Sequence, residues 1–224
     1  MQSRDRLIVA IDRSRRDDIF RLADALDGAP VMVKIGLQAF IANGPPIVRE
    51  LVARGSRVFL DMKIHDIPNT AKHAVAEAAA LGVKMVTVHA SGGATMLKAC
   101  ANDDTLVLGV TILTSLHDDD LRGIGFEAPV RESSVRLAKL AKENGLRGVV
   151  ASPEEIRAIR EACGDIVIVT PGIRPAGSDA GDQRRTTTPA AAIAAGADYI
   201  VVGRPITEAS SPRDAALAIV DSLP

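Results

Sequence analysis

Aromatic residues are scarce in this sequence of 224 residues, where they make up 2% of the chain, with no Trp and a single Tyr. A surface on which the bases of single-stranded nucleic acid stack needs several aromatic rings. Acidic and basic residues nearly balance, at 28 against 27, and the basic ones are spread along the chain. Proteins that bind a polyanion or an anionic membrane surface concentrate their basic residues instead. We therefore expect no nucleic-acid partner and no membrane partner.

Cysteines and long apolar runs are also rare. Cys100 and Cys163 stand in alanine-rich stretches without metal-site or redox spacing, and we interpret both as small buried residues. No histidines and carboxylates have metal-ligand spacing, so we expect no metal. The charged start, Met1 to Arg6, leads into a strand-like run rather than into a secretory apolar segment, and no stretch approaches transmembrane length. These features predict a cytoplasmic protein.

Hydrophobic residues make up 47% of the chain and are mostly Val, Ile, Leu and Ala, which suits a parallel sheet with helices on both faces. Short β-branched runs recur at a mean spacing of about 27 residues, close to one strand-helix unit of an eight-stranded barrel. The predicted strands are Leu7–Ile11, Val31–Val33, Val58–Leu60, Met85–Val88, Leu106–Val110, Gly148–Val150, Ile166–Val169 and Tyr199–Val202.

The segments between these runs have helical patterning. Pro45 and Pro68 are predicted to open helices, and Ser152 and Thr188, each followed by proline, are predicted N-caps. The first strand lacks the glycine pattern that follows it in doubly wound dinucleotide-binding sheets. The sequence therefore predicts the α/β class, as a single-domain (β/α)₈ TIM barrel over residues 1–224.

Two connections are longer than is usual in such a barrel. Residues 115–129 follow the fifth predicted strand. Residues 172–188 follow the seventh, and they are rich in Gly, Ser and Arg. We interpret this second connection as a lid loop that closes over a phosphate.

Charged residues stand at the ends of the first three predicted strands, and the carboxyl ends of barrel strands form the active site. Asp61 and Lys63 follow the third strand. A two-residue period sends both side chains to one face, the interior one if their neighbours in sequence point to the helices. Lys34 ends the adjacent strand and is expected near Asp61. Because buried charges are costly unless paired, we interpret four residues as an alternating catalytic network: Lys34, Asp61, Lys63 and Asp66.

Glycine and arginine stand at the ends of the last two predicted strands, where barrels commonly bind phosphate through backbone N–H groups. Gly203 lets a ligand approach the backbone closely, and Arg204 can donate two hydrogen bonds. We therefore predict an anion site there, with a surface ion pair as the structural alternative. Structural or surface roles are expected for the four histidines, His65, His73, His89 and His117.

Eight short segments stand in order over nearly the whole chain: AID (10–12), VKIG (33–36), LDMKIHDIPNT (60–70), VHASGG (88–93), VTILTS (110–115), TPGIRP (170–175), GDQRR (181–185) and VVGRP (201–205). Together they resemble the orotidine 5′-monophosphate decarboxylase family in its bacterial form. The third segment, joined to DQRR and VGRP, is highly specific. A DxKxxD pattern alone is weaker, because related barrel decarboxylases and aldolases that act on sugar phosphates share it.

The resemblance implies decarboxylation of orotidine 5′-phosphate to uridine 5′-phosphate, in pyrimidine biosynthesis and without a cofactor. It implies a catalytic array in which Lys63 protonates a C6 carbanion, formed by Lys34, Asp61, Lys63 and Asp66. It implies ribose contacts from Asp12 and Lys34, a pyrimidine contact from Thr114 or Ser115, and phosphate contacts from Arg174, Gln183, Gly203 and Arg204. It also implies a homodimer in which Asp66 and Thr70 enter the site of the other subunit.

Three alternatives stay open at this point. A Mg²⁺-dependent keto-sugar-phosphate decarboxylase or aldolase has an acidic metal ligand where this chain has Lys34, and a cation there repels Mg²⁺. A Schiff-base aldolase would use Lys63 as a neutral amine, which flanking carboxylates oppose. The third alternative is a phosphate-binding barrel without catalysis, which serves as a sensor or scaffold.

Overall fold

A computed structural model of the protein describes residues 3–175 and 187–224. Within these ranges eight parallel strands close into one barrel, and each strand pairs with its neighbours in sequence order. The strands are β1 (Leu7–Ala10), β2 (Val31–Gly36), β3 (Val58–Ile64), β4 (Met85–His89), β5 (Leu106–Val110), β6 (Gly148–Val150), β7 (Val167–Thr170) and β8 (Tyr199–Val202). All eight predicted strands are confirmed, with ends that move by at most four residues.

Helices follow the strands and cover the outside of the barrel. They are α1 (Arg16–Ala25), α2 (Leu37–Asn43), α3 (Pro45–Ala53), α4 (Pro68–Ala80), α5 (Gly93–Cys100), α6 (Asp118–Gly123), α7 (Val130–Glu143), α8 (Ile156–Cys163), α9 (Pro189–Ala195), α10 (Arg204–Thr207) and α11 (Pro212–Asp221). Short 3₁₀ turns span Ser3–Arg6 and Ala90–Gly92. The predicted helix starts at Pro45 and Pro68 are confirmed.

The strands place apolar side chains on both of their faces. The outward ones pack with the helices into the main core. The inward ones fill the barrel as a second cluster, formed by Ile8, Ala10, Met32, Phe59, Met85, Leu108, Val169 and Val201. Because side chains alternate along a strand, the next inward position after Met32, Phe59 and Met85 lies two residues further on. Those positions carry polar side chains, which belong to the site described below.

Strand β3 departs from regular pairing with β4 at the residues that the sequence analysis singled out. Leu60 pairs with Val86 and Ile64 pairs with Val88, so three residues of β3 face one residue of β4 between these pairs. Lys63 lies in this bulge with a φ of 50°, a left-handed conformation that is uncommon for residues other than glycine. The strand is therefore longer than predicted, and a bulge rather than regular alternation places Lys63.

Two local predictions have different outcomes. Thr188 caps α9, because its Oγ1 accepts a hydrogen bond from Ala191 N at 3.3 Å. The N-cap prediction for Ser152 was wrong: α8 begins at Ile156, after a turn. Ser152 N donates to Glu155 Oε2 at 3.0 Å, so a buried carboxylate organises this turn before the helix starts.

The two long connections also contain structure. Residues 115–129 include α6, a short helix that the sequence analysis did not predict. In the connection over 172–188, residues 176–186, with the predicted phosphate ligand Gln183, lie outside the described residues. The described ends of that connection are joined, since Arg174 N donates to Thr187 O at 2.9 Å. The prediction of a lid loop stays a prediction.

Both cysteines are buried, as predicted. Burial raises the pKa of the Cys100 thiol to about 11, so the group stays an uncharged thiol at neutral pH. Over residues 3–175 and 187–224, no helix combines the length and apolarity that crossing a membrane requires.

Candidate active site

A cavity of about 280 Å³ opens at the carboxyl ends of the barrel strands. The inward apolar cluster closes it from below, since Phe59 and Val201 belong to both the cluster and the cavity lining. Eight of the predicted site residues line this cavity: Asp12, Lys34, Asp61, Lys63, Thr114, Arg174, Gly203 and Arg204. Ser115, the alternative to Thr114, is exposed and is not among the lining residues.

Four charged side chains alternate in sign across one wall of the cavity. The Lys63 ammonium lies 2.8 Å from Asp61 Oδ2, and the Lys34 ammonium lies 3.6 Å from the same oxygen. Lys34 Nζ also lies 3.2 Å from Asp12 Oδ1. The chain of contacts therefore runs from Asp12 through Lys34 and Asp61 to Lys63. An alternating arrangement of this kind lets charges stay partly buried, because each has an opposite partner.

Asp61 is the centre of this array, and its side chain is 14% exposed. Burial by itself raises the pKa of the carboxyl group, but the charges of Lys34 and Lys63 and the hydrogen bonds to the carboxylate outweigh burial. The net effect holds the pKa of Asp61 below its usual range. Asp61 is therefore an anion at neutral pH, fixed between two ammonium groups.

Thr87 is a member of this site that the sequence analysis missed. It lies on β4 opposite the bulge, is fully buried, and donates from Oγ1 to Asp61 Oδ1 at 2.9 Å. Thr87 Oγ1 also accepts a hydrogen bond from Lys63 N at 2.8 Å. The sequence held one signal for it, a polar residue two positions beyond the inward Met85. The bulge that brings Thr87 against both residues had no signal of its own.

His89 ends β4 at the edge of the array and is half-buried. Its ring centroid lies 5.5 Å from that of His65. Burial lowers the pKa of His89, and the nearby His65 and Lys63 lower it further. A neutral imidazole in ring contact fits the structural role expected for this residue.

The lining of the cavity also contains three arginines, Arg13, Arg174 and Arg204. Arg13 is a lining residue that the sequence analysis did not single out, and its guanidinium lies 3.7 Å from Glu208 Oε1. A Cβ built at Gly203 meets Ala10 Cβ at 3.7 Å, which is ordinary van der Waals contact. The packing of the protein itself therefore leaves room for a side chain at Gly203.

Asp66 and Thr70 are exposed and are not among the residues that line the cavity. Asp66 Oδ1 accepts a hydrogen bond from Ile67 N at 2.7 Å, just before α4 begins. Ile67 between them is 68% exposed, a high value for a large apolar side chain. Of the two carboxylates expected beside Lys63, the described part of the chain therefore places Asp61 in contact with it and leaves Asp66 outside the cavity lining.

Residues 3–175 and 187–224 contain no group of three or more His, Cys, Asp or Glu side chains that could hold a metal ion. The ammonium and guanidinium groups that line the cavity are suited to an anionic organic ligand.

Comparison with known families decides how this cavity is to be interpreted. The model of the orotidine 5′-phosphate decarboxylase/HUMPS family matches residues 5–219. The chain belongs to this family. The resemblance inferred from the sequence segments is confirmed, and so is the barrel fold that it implied.

Relatives in the orotidine 5′-phosphate decarboxylase family match over nearly their whole length. The orotidine 5′-phosphate decarboxylase of Vibrio campbellii is 48% identical, with 97% of each chain covered. That of Moorella thermoacetica is 50% identical, with 98% of this chain and 92% of the relative covered. A crystal structure of the Lactobacillus acidophilus orotidine 5′-phosphate decarboxylase superimposes with a TM-score of 0.87 at 38% identity, covering 96% of this chain and 97% of that one. All three relatives are named orotidine 5′-phosphate decarboxylase.

Proposed function

We propose that the protein decarboxylates orotidine 5′-phosphate to uridine 5′-phosphate, as a step of pyrimidine biosynthesis, without a metal or organic cofactor. The observation that carries this proposal is the Lys63 ammonium, which lies 2.8 Å from Asp61 Oδ2 in the lining of the cavity. Such a group places a fixed positive charge and a proton at one point of a partly enclosed site. Both are needed where a carbanion forms.

The reaction breaks the bond between C6 and the carboxylate carbon, and the bonding electron pair stays on C6 while CO₂ leaves. The resulting carbanion has no adjacent carbonyl that delocalises it well. An ammonium fixed where this charge develops stabilises the transition state more than the ground state. Lys63 then donates its proton to C6, which gives uridine 5′-phosphate, and solvent reprotonates the amine.

The preorganised array supplies this stabilisation because its charges are already in place before the substrate binds. Asp61 and Lys34 limit the directions in which the Lys63 ammonium can lie, through the contacts at 2.8 Å and 3.6 Å. Enzymes lower barriers by roughly 8–23 kcal/mol. One ion pair does not reach that range. The proposal therefore requires the array to act together with the binding energy of the substrate's phosphate group.

The substrate is proposed to lie across the cavity with its phosphate at the arginine side. Arg174, Gly203 and Arg204 would hold the phosphate, with Gln183 from the segment outside the described residues. Asp12 and Lys34 would contact the ribose hydroxyl groups, and Thr114 would contact the pyrimidine. The proposal is supported by the finding that the described members of this set line one cavity.

The complete site is proposed to need a second copy of the chain. Asp66 and Thr70 lie outside the cavity of their own subunit, next to the exposed Ile67. A homodimer that buries Ile67 would carry Asp66 to the Lys63 of the partner. Mixing Asp66→Asn subunits with Lys63→Ala subunits is then expected to restore part of the activity, because one of the two sites in a mixed dimer keeps both groups. An inactive mixture with proven subunit exchange would contradict sharing.

The proposed reaction is tested by the loss of orotate-type ultraviolet absorbance when purified protein meets orotidine 5′-phosphate in the presence of EDTA. We expect full turnover with EDTA and release of one CO₂ per uridine 5′-phosphate. Activity that EDTA removes and Mg²⁺ restores would favour the metal-dependent keto-sugar-phosphate alternative, which the Lys34 ammonium in the array opposes. Binding of the nucleotide without turnover would leave the sensor alternative.

A further inference from the structure

We propose that Thr87 is a positioning residue for the decarboxylation, which fixes the Asp61 carboxylate and the Lys63 backbone at the same time through one hydroxyl group. The proposal rests on the proposed function for its kinetic consequences. Its structural basis is independent of the reaction, since it depends on two hydrogen bonds of a fully buried side chain.

The first hydrogen bond divides the two oxygens of Asp61 between different partners. Oδ1 accepts from Thr87 Oγ1 at 2.9 Å, and Oδ2 faces the ammonium groups of Lys63 and Lys34 at 2.8 Å and 3.6 Å. A carboxylate without a partner on Oδ1 can rotate about its terminal torsion, which is broad. Thr87 therefore fixes the direction in which Oδ2 presents its negative charge to both lysines.

The second hydrogen bond replaces one that the bulge removes. Between the pairs at Leu60 and Ile64, β3 loses its regular register with β4, and the N–H of Lys63 donates to Thr87 Oγ1 at 2.8 Å. A buried N–H without an acceptor is costly, and the φ of 50° at Lys63 is an uncommon conformation. Thr87 thus stabilises the backbone conformation from which the Lys63 side chain reaches into the cavity.

A hydroxyl group suits this position because it donates one hydrogen bond and accepts others. Valine has nearly the same shape as threonine but neither donates nor accepts. Serine keeps the hydroxyl and loses only a methyl group. The pair Thr87→Val and Thr87→Ser therefore separates hydrogen bonding from packing at one site.

We expect Thr87→Val to lower kcat while the affinity for uridine 5′-phosphate stays within about twofold of the unaltered protein. Thr87 is not among the residues that line the cavity, so the direct contacts to the nucleotide are expected to remain. The loss in kcat is expected to be roughly ten- to hundredfold, the range for one hydrogen bond to a charged group. Thr87→Ser is expected to stay within about threefold of the unaltered protein, because both hydrogen bonds persist.

Thr105→Val is the matched control. Thr105 is 2% exposed and donates from Oγ1 to Val83 O at 3.0 Å, at the opposite end of the barrel strands. This variant also removes one buried hydroxyl and is expected to keep kcat. Thermal unfolding and circular dichroism establish that each variant is folded. If Thr87→Val does not fold, Thr87→Ala is measured as a second variant that lacks the hydroxyl group.

A second measurement does not depend on catalysis. Carbon NMR of protein that contains isotope-labelled aspartate follows the titration of the Asp61 carboxyl group. The Asp61 signal is assigned as the one that is missing from the spectrum of Asp61→Asn. Because the Thr87 hydrogen bond lowers the pKa of Asp61, Thr87→Val is expected to raise it, while Thr105→Val is expected to leave it unchanged.

The outcomes separate this proposal from the proposed function. A loss of kcat with retained affinity, a raised Asp61 pKa and rescue by Thr87→Ser support positioning. Variants without the hydroxyl group that keep both kcat and the Asp61 titration overturn it. A Thr87→Ser variant that is as impaired as those variants also overturns it. If the unaltered protein does not decarboxylate orotidine 5′-phosphate, the proposed function fails, and the Asp61 titration still decides whether Thr87 positions the carboxylate.

Discussion

Gly36→Ala is a small substitution that reaches the charge array directly. Gly36 ends β2, just beyond Lys34, and a Cβ built there lies 2.9 Å from Lys34 Nζ and 3.2 Å from Asp12 Oδ1. Optimal contacts between non-bonded carbon and nitrogen are longer, at about 3.5 Å or more. The methyl group therefore displaces the lysine ammonium or the aspartate. The backbone φ of −96° suits alanine, so the strain falls on the side chains.

The expected loss follows from the distance between Lys34 and Asp61. A shift of the ammonium by about 1 Å would lengthen that contact from 3.6 Å to about 4.6 Å. With an effective dielectric constant of about 20, the attraction weakens by about 1 kcal/mol. If the array acts in the transition state, this corresponds to a roughly fivefold loss in kcat/KM. The contact between Lys34 and Asp12 weakens in the same variant, so fivefold is the lower end of the expected range.

Steady-state decarboxylation by Gly36→Ala is compared with that by Gly123→Ala, where a Cβ meets no atom within 4 Å. We expect the control to match the unaltered protein and Gly36→Ala to lose activity with a thermal midpoint close to that of the control. The lysine can move at little cost to folding, because its long side chain is flexible. Full activity in Gly36→Ala would refute the claim that the array depends on the present position of Lys34.

Two further predictions concern the binding of the phosphate group and the stability of the fold at acid pH. Arg204→Ala is expected to weaken binding of uridine 5′-phosphate roughly tenfold or more while uridine binding changes little, as measured by calorimetry, and equal losses for both ligands would remove Arg204 from the phosphate site. The pKa of Asp61 lies below its usual value, so its ion pairs stabilise the fold above that usual value and the contribution disappears as the pH falls through the folded-state pKa. The difference in unfolding free energy between the unaltered protein and Asp61→Asn is therefore expected to shrink from pH 7 towards pH 3 in denaturant titrations, and a difference independent of pH would contradict the pairing.

The barrel could be predicted from the sequence because its signals repeat. Eight β-branched runs at even spacing, with prolines such as Pro45 and Pro68 at helix starts, give the same information many times over. Ser152 shows the limit of such local rules. A serine before a proline is a good N-cap pattern, but the buried Glu155 carboxylate accepts the Ser152 N–H and delays the helix. The start of α8 therefore goes with the burial of Glu155, which a local sequence pattern does not show.

The charged residues of the site could also be predicted, because charges at strand ends have few structural reasons to be there. Thr87 could not be predicted as a site residue, because threonine is common in β-branched strands and does not by itself indicate a function. Its role depends on a bulge in the neighbouring strand, and register shifts of this kind arise from pairing between strands rather than from either strand alone. The prediction that Asp66 serves another subunit likewise depended on family resemblance, since the sequence of one chain carries no signal for an interface.

Lys63 is proposed to protonate the carbanion through its ammonium group. Single-turnover decarboxylation by Lys63→Ala, with uridine 5′-phosphate affinity measured on the same preparation, examines this role. We expect decarboxylation to fall to the background rate while the variant still binds the nucleotide. Substantial CO₂ release from a folded, nucleotide-binding Lys63→Ala protein would contradict it.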